Sequence, residues 1–248
     1  MSDAERNAEA APDVSLVAPV YNEKEVIGDF LAEADRELSA LQRTYEIVCA
    51  DDGSTDGTRE LLLAAKQTYP RLRLVFLRGN HGQTAAFDAG IRAARGRYIV
   101  LIDADMQNDP ADIGKLLAVL ESPAQPAVVA GRRANRRDNL VRRISSRIAN
   151  AVRIFFTNDP IQDTGCSLKA FRAETLKKIK LFAGMHRFLT TLVRMEGGEV
   201  AEVPVNHRPR TKGAAKYGVW NRLFRAAADL WAVRWMQKRR LRYEAEEK

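Results

Sequence analysis

Short apolar runs alternate with amphipathic stretches through the first half of the chain. The runs at 14–20, 45–50, 72–77 and 98–103 are rich in β-branched and aliphatic residues, and each ends in a polar or acidic turn, which predicts buried strands. Between them, residues 24–41, 57–69, 83–94 and 110–121 carry apolar side chains at helical spacing, which predicts helices packed by one face. A helix in each gap between strands implies right-handed crossovers and a parallel sheet covered on both faces. The predicted fold class is therefore α/β, a Rossmann-like, mostly parallel central sheet with helices on both faces, followed by a C-terminal amphipathic helix.

In such a sheet ligands gather beyond the carboxyl ends of the strands, so the residues that close each run can be read together. They are Tyr21-Asn22-Glu23, Asp51-Asp52-Gly53-Ser54, Arg78-Gly79-Asn80 and Asp103-Ala104-Asp105-Met106-Gln107. Three acidic clusters on one rim repel one another unless a cation or hydrogen-bond donors satisfy them. Alternation along an extended chain would send Asp103, Asp105 and Gln107 to one side, and hard oxygen ligands of this kind suit Mg²⁺ or Mn²⁺. Plainer roles exist for each cluster. Asn108 or Asp109 can cap a helix that begins at Pro110, Thr55 or Asp56 can start the second helix, Asn22 can cap the first, and His81 fits a solvated loop position as well as a ligand.

Charge changes the picture of the second half. Residues 1–112 hold 12 Lys/Arg against 20 Asp/Glu, a net −8, whereas residues 113–248 hold 28 against 12, a net +16. A basic half of this size is suited to an anion, whether nucleic acid, anionic lipid or a phosphorylated substrate. Cys49 and Cys166 are far apart and lack metal-ligand spacing, which fits a reduced, cytosolic protein. No apolar leader opens the chain, and the window Val219 to Met236 is broken by Arg222, Arg225, Asp229 and Arg234, too many charges for a membrane span.

These residues reach a family. Val17-Ala18-Pro19-Val20-Tyr21-Asn22-Glu23, Asp51-Asp52-Gly53-Ser54-Thr55-Asp56-Gly57-Thr58, Gly82-Gln83-Thr84-Ala85-Ala86 and Asp103-Ala104-Asp105-Met106-Gln107 with Pro110 resemble the successive signatures of family-2 glycosyltransferases of the GT-A fold. Gly131-Arg132-Arg133, Arg142-Arg143-Ile144-Ser145-Ser146, Asp163-Thr164-Gly165-Cys166-Ser167-Leu168-Lys169, His186-Arg187-Phe188 and Pro204-Val205-Asn206-His207-Arg208-Pro209-Arg210 narrow the resemblance to the polyprenyl-phosphate glycosyltransferases, the group that includes dolichol-phosphate mannosyltransferase. The resemblance runs from about residue 14 to residue 218. It implies that Pro19, Tyr21, Glu23 and Asp52 hold the nucleotide base and ribose, with Asp103 and Arg210 also on the donor. It further implies that Asp103, Asp105 and Gln107 hold Mg²⁺ or Mn²⁺, and that Asp105, Asp163, Arg132 and Lys216 serve catalysis. Arg132, Arg142, Arg210 and Lys216 occupy the family's basic positions. Asp163 either orients the acceptor or a cation, or is a structural partner of an arginine. The chain departs from the pattern at Ala215, where the family usually has a serine before the lysine.

The implied reaction is inverting transfer of a sugar from a UDP- or GDP-linked donor to polyprenyl phosphate at the cytoplasmic membrane face. Two alternatives stay open: a soluble or polysaccharide acceptor, or a basic protein that binds nucleic acid or an anionic membrane. Recognised nucleic-acid modules are not evident, and nucleic acid is not an expected partner. The domain reading is a disordered tail over 1–12, a catalytic domain over 13–218 with an acceptor loop near 208–218, and an amphipathic basic segment over 219–248. Two stretches suit an interfacial contact. The first, Leu140 to Phe156, sets Val141, Ile144, Ile148, Val152 and Phe155 at helical spacing among Arg142, Arg143, Arg147 and Arg153. The second carries Trp220, Trp231 and Trp235 ahead of Lys238-Arg239-Arg240. Many relatives carry two transmembrane helices after the catalytic domain. Peripheral attachment to the inner membrane face is expected here, with an anionic membrane surface, a separate membrane-anchor protein or a homo-oligomer as the partner.

Overall fold

The structure, a computed structural model, describes residues 11–134, 153–209, 219–240 and 246. A seven-stranded sheet is built from β1 (Val14–Val20), β2 (Tyr45–Asp51), β3 (Leu72–Phe76), β4 (Tyr98–Leu101), β5 (Val128–Arg133), β6 (Lys169–Arg172) and β7 (Val200–Val205), in the order β3-β2-β1-β4-β6-β5-β7. The first four strands are parallel, β6 runs antiparallel to both β4 and β5, and β7 is parallel to β5. Strand order reverses between β1 and β4, which opens a crevice beyond their carboxyl ends.

Successive side chains of a strand point to opposite faces, and that divides the core into two layers. Leu16, Ile47 and Val100 face α1 (Ile27–Ala40) and α4 (Ile113–Leu120), against Phe30, Leu31, Leu116 and Leu117. Their neighbours Val17, Val48 and Ile99 face the other way, onto Phe87 and Ile91 of α3 (Gln83–Ala93) and Leu189, Leu192 and Val193 of the helix Leu189–Met195. Gly90 lets α3 lie close to the sheet, since a Cβ there would stand 2.5 Å from Val17 Cγ1. The helix α2 (Thr58–Thr68) completes the first layer through Leu62. The helix Val219–Arg239 docks through buried Val233, with Gln237 Nε2 donating to the Thr157 carbonyl at 2.6 Å.

All four predicted strands and their helices are present, with two differences. The fourth strand ends at Leu101 rather than at residue 103. The chain turns over Ala104 and Asp105, Met106 adopts φ 63°, and Asp105 Oδ1 accepts the Gln107 N–H at 3.1 Å. A side-chain acceptor that satisfies the backbone two residues on favours a turn over an extended chain, so Asp103, Asp105 and Gln107 do not share a side by strand alternation. The predicted fourth helix begins as a 3-10 turn, Pro110–Asp112, capped by Asp109, whose Oδ1 accepts the Ala111 N–H at 3.1 Å.

Candidate active site

The loops after β1 and β2 are tied to each other. Consecutive N–H groups of Asn22, Glu23 and Lys24 donate to Ser54 Oγ (2.9 Å), Thr58 Oγ1 (2.9 Å) and Asp56 Oδ2 (3.2 Å), while Thr55 N donates back to Asn22 Oδ1 at 2.8 Å. Asn22, at φ 51°, therefore bridges two loops instead of capping α1. Asp56 also accepts the N–H and hydroxyl of Thr58, and these bonds hold its carboxyl below the usual range despite burial. Pro19, opposite Ala50 in the β1–β2 register, and the partly buried Tyr21 and Glu23 stand at this tied end of β1.

The aspartates after β2 are engaged inside the protein. Asp51 is fully buried and paired with Arg59 at 2.7 Å, whose guanidinium lies 4.7 Å from the Phe76 ring centre. Asp52, also buried, accepts the His81 N–H on Oδ1 (2.7 Å) and the Gly82 N–H on Oδ2 (2.8 Å). Asp52 thus shapes the turn that starts α3. Gly53, at φ +74°, makes this possible: a Cβ there would lie 2.6 Å from the Gly79 carbonyl carbon, so only glycine lets the two loops touch.

The loop after β4 differs. Asp103 is partly buried at the crevice, accepts a hydrogen bond from Gln83 Nε2 at 2.7 Å, and has its carboxyl pushed up to about 6 by burial and by the charge of Asp105. The Ser167 hydroxyl, Lys169 and Gln83 pull the other way. The carboxylate of Asp105 beside Asp103, with the Gln107 amide in the same turn, fits a hard divalent cation. Among the described residues no group of three His, Cys, Asp or Glu gathers to hold a metal ion. The fit is to an open site of few protein ligands, of the kind that leaves coordination positions to the oxygens of a ligand.

At the end of β4 lies a cavity of about 230 Å³, lined by Gln83, Asp103, Ser167, Lys169, His186 and Arg187 among others. Lys169 is buried at the start of β6, opposite Leu101, and donates Nζ to the carbonyls of Cys166 and Thr164. Burial lowers its pKa. Thr84 Oγ1 accepts the Gly184 N–H at 3.0 Å and lies 2.7 Å from His186 Nδ1. Burial, with Arg187 and Lys169, pushes the His186 pKa down to about 3, which keeps the ring neutral.

Asp163 is one partner of an arginine, the plainer of its two readings. Arg133 donates to it from Nε and Nη2, both at 2.7 Å, and from its backbone N at 3.1 Å. Arg132, exposed at the end of β5, donates to Gln162 Oε1 at 3.0 Å. Arg153 stands corrected: the sequence placed it among cations that meet a headgroup, but it is buried, 3.6 Å from buried Asp159, with Nη2 donating to the Ile161 carbonyl. Arg142, Arg210 and Lys216 lie outside the described residues, as does the departure at Ala215.

Sequence reading left Gln83, Ser167, Lys169 and His186 without roles, although each sits in a quoted motif. His207 was likewise unassigned, and tertiary structure brings it beside the acidic loop: Asn108 and His207 form a β-bridge, and Arg208 N donates to the Gln107 carbonyl at 2.8 Å. Arg208 holds that contact through Glu33 (2.7 and 2.8 Å) and Asp109 (2.8 Å). A run of polar residues gives no sign of such a long-range partner, and only the signature motif itself marked the segment.

A parallel sheet reversing at β1 and β4, an antiparallel strand beside β4 and an Asp-x-Asp turn at the crevice define a GT-A-type transferase. Residues 15–180 match Glycosyl transferase family 2, and the chain belongs to that family. It is 38% identical over 240 residues to dodecaprenyl-phosphate galacturonate synthase of Rhizobium johnstonii, covering 94% of this chain and 68% of that protein. It is 33% identical over 207 residues to undecaprenyl-phosphate 4-deoxy-4-formamido-L-arabinose transferase of Edwardsiella ictaluri, covering 83% of this chain and 63% of that protein. The chain thus spans about two thirds of the length of these relatives. Among solved structures, a mannosyltransferase from Pyrobaculum calidifontis in complex with GDP-Man and Mn²⁺ aligns with TM-score 0.65 at 22% identity, over 95% of this chain and 67% of that one. Glucosyl-3-phosphoglycerate synthase from Mycobacterium tuberculosis, in complex with Mn²⁺, UDP and phosphoglyceric acid, aligns with TM-score 0.69 at 19% identity, over 92% and 79%. These likenesses establish the GT-A fold.

Proposed function

We propose that this protein transfers a sugar, with inversion, from a UDP- or GDP-linked donor to polyprenyl phosphate, and that it works peripherally at the cytoplasmic face of a membrane. The observation that carries the reading is the juxtaposition of the Asp103–Gln107 turn with a cavity walled by Lys169, His186 and Arg187. The carboxylates of that turn suit a cation-bound diphosphate, and Lys169 and Arg187 in the lining of the same cavity as Asp103 suit a second anion. The names of the relatives support the lipid-phosphate acceptor.

In this reading Pro19, Tyr21, Glu23 and Asp52 form the nucleotide end, Asp52 by setting the turn at His81 and Gly82. Asp103, Asp105 and Gln107 would hold Mg²⁺ or Mn²⁺, which would supply positive charge against the negative charge that develops on the donor diphosphate. A phosphate monoester is already anionic near neutral pH, so its oxygen attacks the anomeric carbon without a strong general base. The bond from that carbon to the diphosphate oxygen breaks as the new one forms. The protein's task is to position the two anions and screen their repulsion. We assign that task to Arg132 with Lys216 and Arg210, and to Arg133 held by Asp163.

Incubation of the protein with Mn²⁺, polyprenyl phosphate and a panel of UDP- and GDP-sugars should yield a lipid-linked sugar. Absence of product from every donor, with a relative active in the same assay, overturns the reading. Product formed without lipid phosphate shifts it to a soluble acceptor.

A further inference from the structure

Two neighbouring side chains at the start of α3 reach different parts of the cavity lining. Gln83 Nε2 donates to Asp103 Oδ1 at 2.7 Å, across 20 positions of sequence. Thr84, buried at 7% exposure, accepts the Gly184 N–H on Oγ1 at 3.0 Å and lies 2.7 Å from His186 Nδ1, across 100 and 102 positions. Consecutive residues of a helix point about 100° apart, which lets neighbours serve two places. Both places belong to one cavity, whose lining includes Gln83, Asp103, His186 and Arg187.

The start of α3 is itself fixed. Gly82, at φ +89°, precedes the first helical residue, and Asp52 accepts the N–H groups of His81 and Gly82. Ala86 and Phe87 are buried in the next turn, and the Phe87 ring lies 6.3 Å from that of His186. A helix end tied to β2 and packed on the sheet is a rigid base from which side chains set the distances in a site. What the two contacts hold differs in charge. Asp103 belongs to the acidic turn, and the Gln83 amide and the Ser167 hydroxyl orient its carboxyl. His186 and Arg187 belong to the 3-10 turn Met185–Phe188, which follows Gly184 at φ +90°. A single turn is too short to hold its own shape, so its place is set by Thr84 on α3 and by Asp229, which packs on Gly184. We propose that Gln83 and Thr84 are positioning residues that set the two charged parts of the site against each other. Gln83 orients Asp103 towards the metal-bound donor, and Thr84 places the His186–Arg187 turn for the acceptor phosphate. The ligands named for the two parts rest on the sugar-transfer reading, whereas the contacts themselves do not.

A pair that only stabilised the fold would loosen both parts alike, while positioning predicts separate losses. Affinities are read with the full chain, for Mn²⁺ with UDP or GDP by electron paramagnetic resonance of free Mn²⁺, and for a short-chain prenyl phosphate in detergent by calorimetry. Gln83→Met keeps the side-chain length and removes the donor. It should weaken Mn²⁺–nucleotide binding at least about fivefold and leave prenyl phosphate affinity unchanged. Thr84→Val keeps the shape and removes the hydroxyl. It should weaken prenyl phosphate binding at least about tenfold, leave Mn²⁺–nucleotide binding unchanged, and move the His186 Nδ1 resonance in nitrogen NMR. Thr84→Ser should restore the affinity and the resonance. Wild-type Mn²⁺–nucleotide affinity in Gln83→Met overturns the role of Gln83, and wild-type prenyl phosphate affinity in Thr84→Val overturns that of Thr84. Equal losses of both ligands in each variant reduce the pair to a fold-stabilising contact and overturn the proposal. A wild type that binds no prenyl phosphate overturns the acceptor reading together with the role of Thr84. A wild type that binds both ligands but transfers no sugar, with the two variants still separating the affinities, defeats the reaction and leaves the positioning standing.

Discussion

The acidic rim has two regions that look alike in sequence and differ in the folded protein. After β2, Asp51 is paired with Arg59, Asp52 accepts two backbone N–H groups, and Asp56 accepts N–H groups from Thr58 and Lys24. After β4, Asp103 bears the charge of Asp105, and its carboxyl is pushed up to about 6. Rim repulsion therefore has both of its available remedies here. Donors within the protein satisfy the β2 cluster and make it a scaffold for the loops. The β4 pair keeps an electrostatic cost that a bound cation would relieve. An aspartate at a strand end is informative about chemistry only once its hydrogen bonds have been counted.

That contrast breaks if the two regions respond alike to substitution. The largest effect is expected at the β4 pair: Asp105→Ala should lower turnover by at least about a hundredfold, the scale seen when electrostatic stabilisation of a transition state is removed. Its urea midpoint should stay close to wild type. Wild-type turnover in that variant, measured by sugar transfer to polyprenyl phosphate with Mn²⁺, removes Asp105 from the site. On the basic side, Asp163→Ala leaves Arg133 without the carboxylate that binds it twice. A loss of about 3 kcal/mol in urea unfolding is expected for one partner of a largely buried pair. If Asp163 matters only through fold stability, turnover per folded molecule will hold. If it positions Arg133 for the acceptor, the KM for lipid phosphate will rise.

A smaller change tests the scaffold. Asp52→Ala strands the N–H groups of His81 and Gly82 and should cost about 2 kcal/mol, read as a lower urea midpoint. An unchanged midpoint would mean that the β2 cluster is not the scaffold described. The last test is a slope. His186 has a folded pKa depressed from 6.5 to about 3, so below pH 6.5 the unfolded chain takes up a proton that the folded protein refuses. Its contribution to stability is present above pH 6.5 and is lost as pH falls towards 3, at no more than about 1.4 kcal/mol per pH unit. His186→Gln should flatten the fall in melting temperature across that window. An identical profile in the variant would show that the imidazole is not held neutral.

What could be read from the chain, and what could not, follows from the range of the forces involved. The four early strands, their helices, the parallel order of the first strands and the Asp109–Pro110 cap were legible, because strand and helix periodicity and capping are local and repeat in the sequence. The Asp103–Gln107 turn was legible as a site and misread in shape. An aspartate that bonds the backbone two residues on ends a strand early, and an apolar run does not reveal where that happens. Only tertiary structure decided that Arg153 is buried on Asp159, that Arg133 and not Arg132 clamps Asp163, and that His207 lies beside Asn108. It alone brought Gln83 onto Asp103 and Thr84 onto His186. Each is a contact between residues whose separation or burial no local pattern records. The residue types that make the chemistry available are set by the sequence. Which carboxylates the protein satisfies internally, and which it leaves to a ligand, is set by the neighbours that folding supplies.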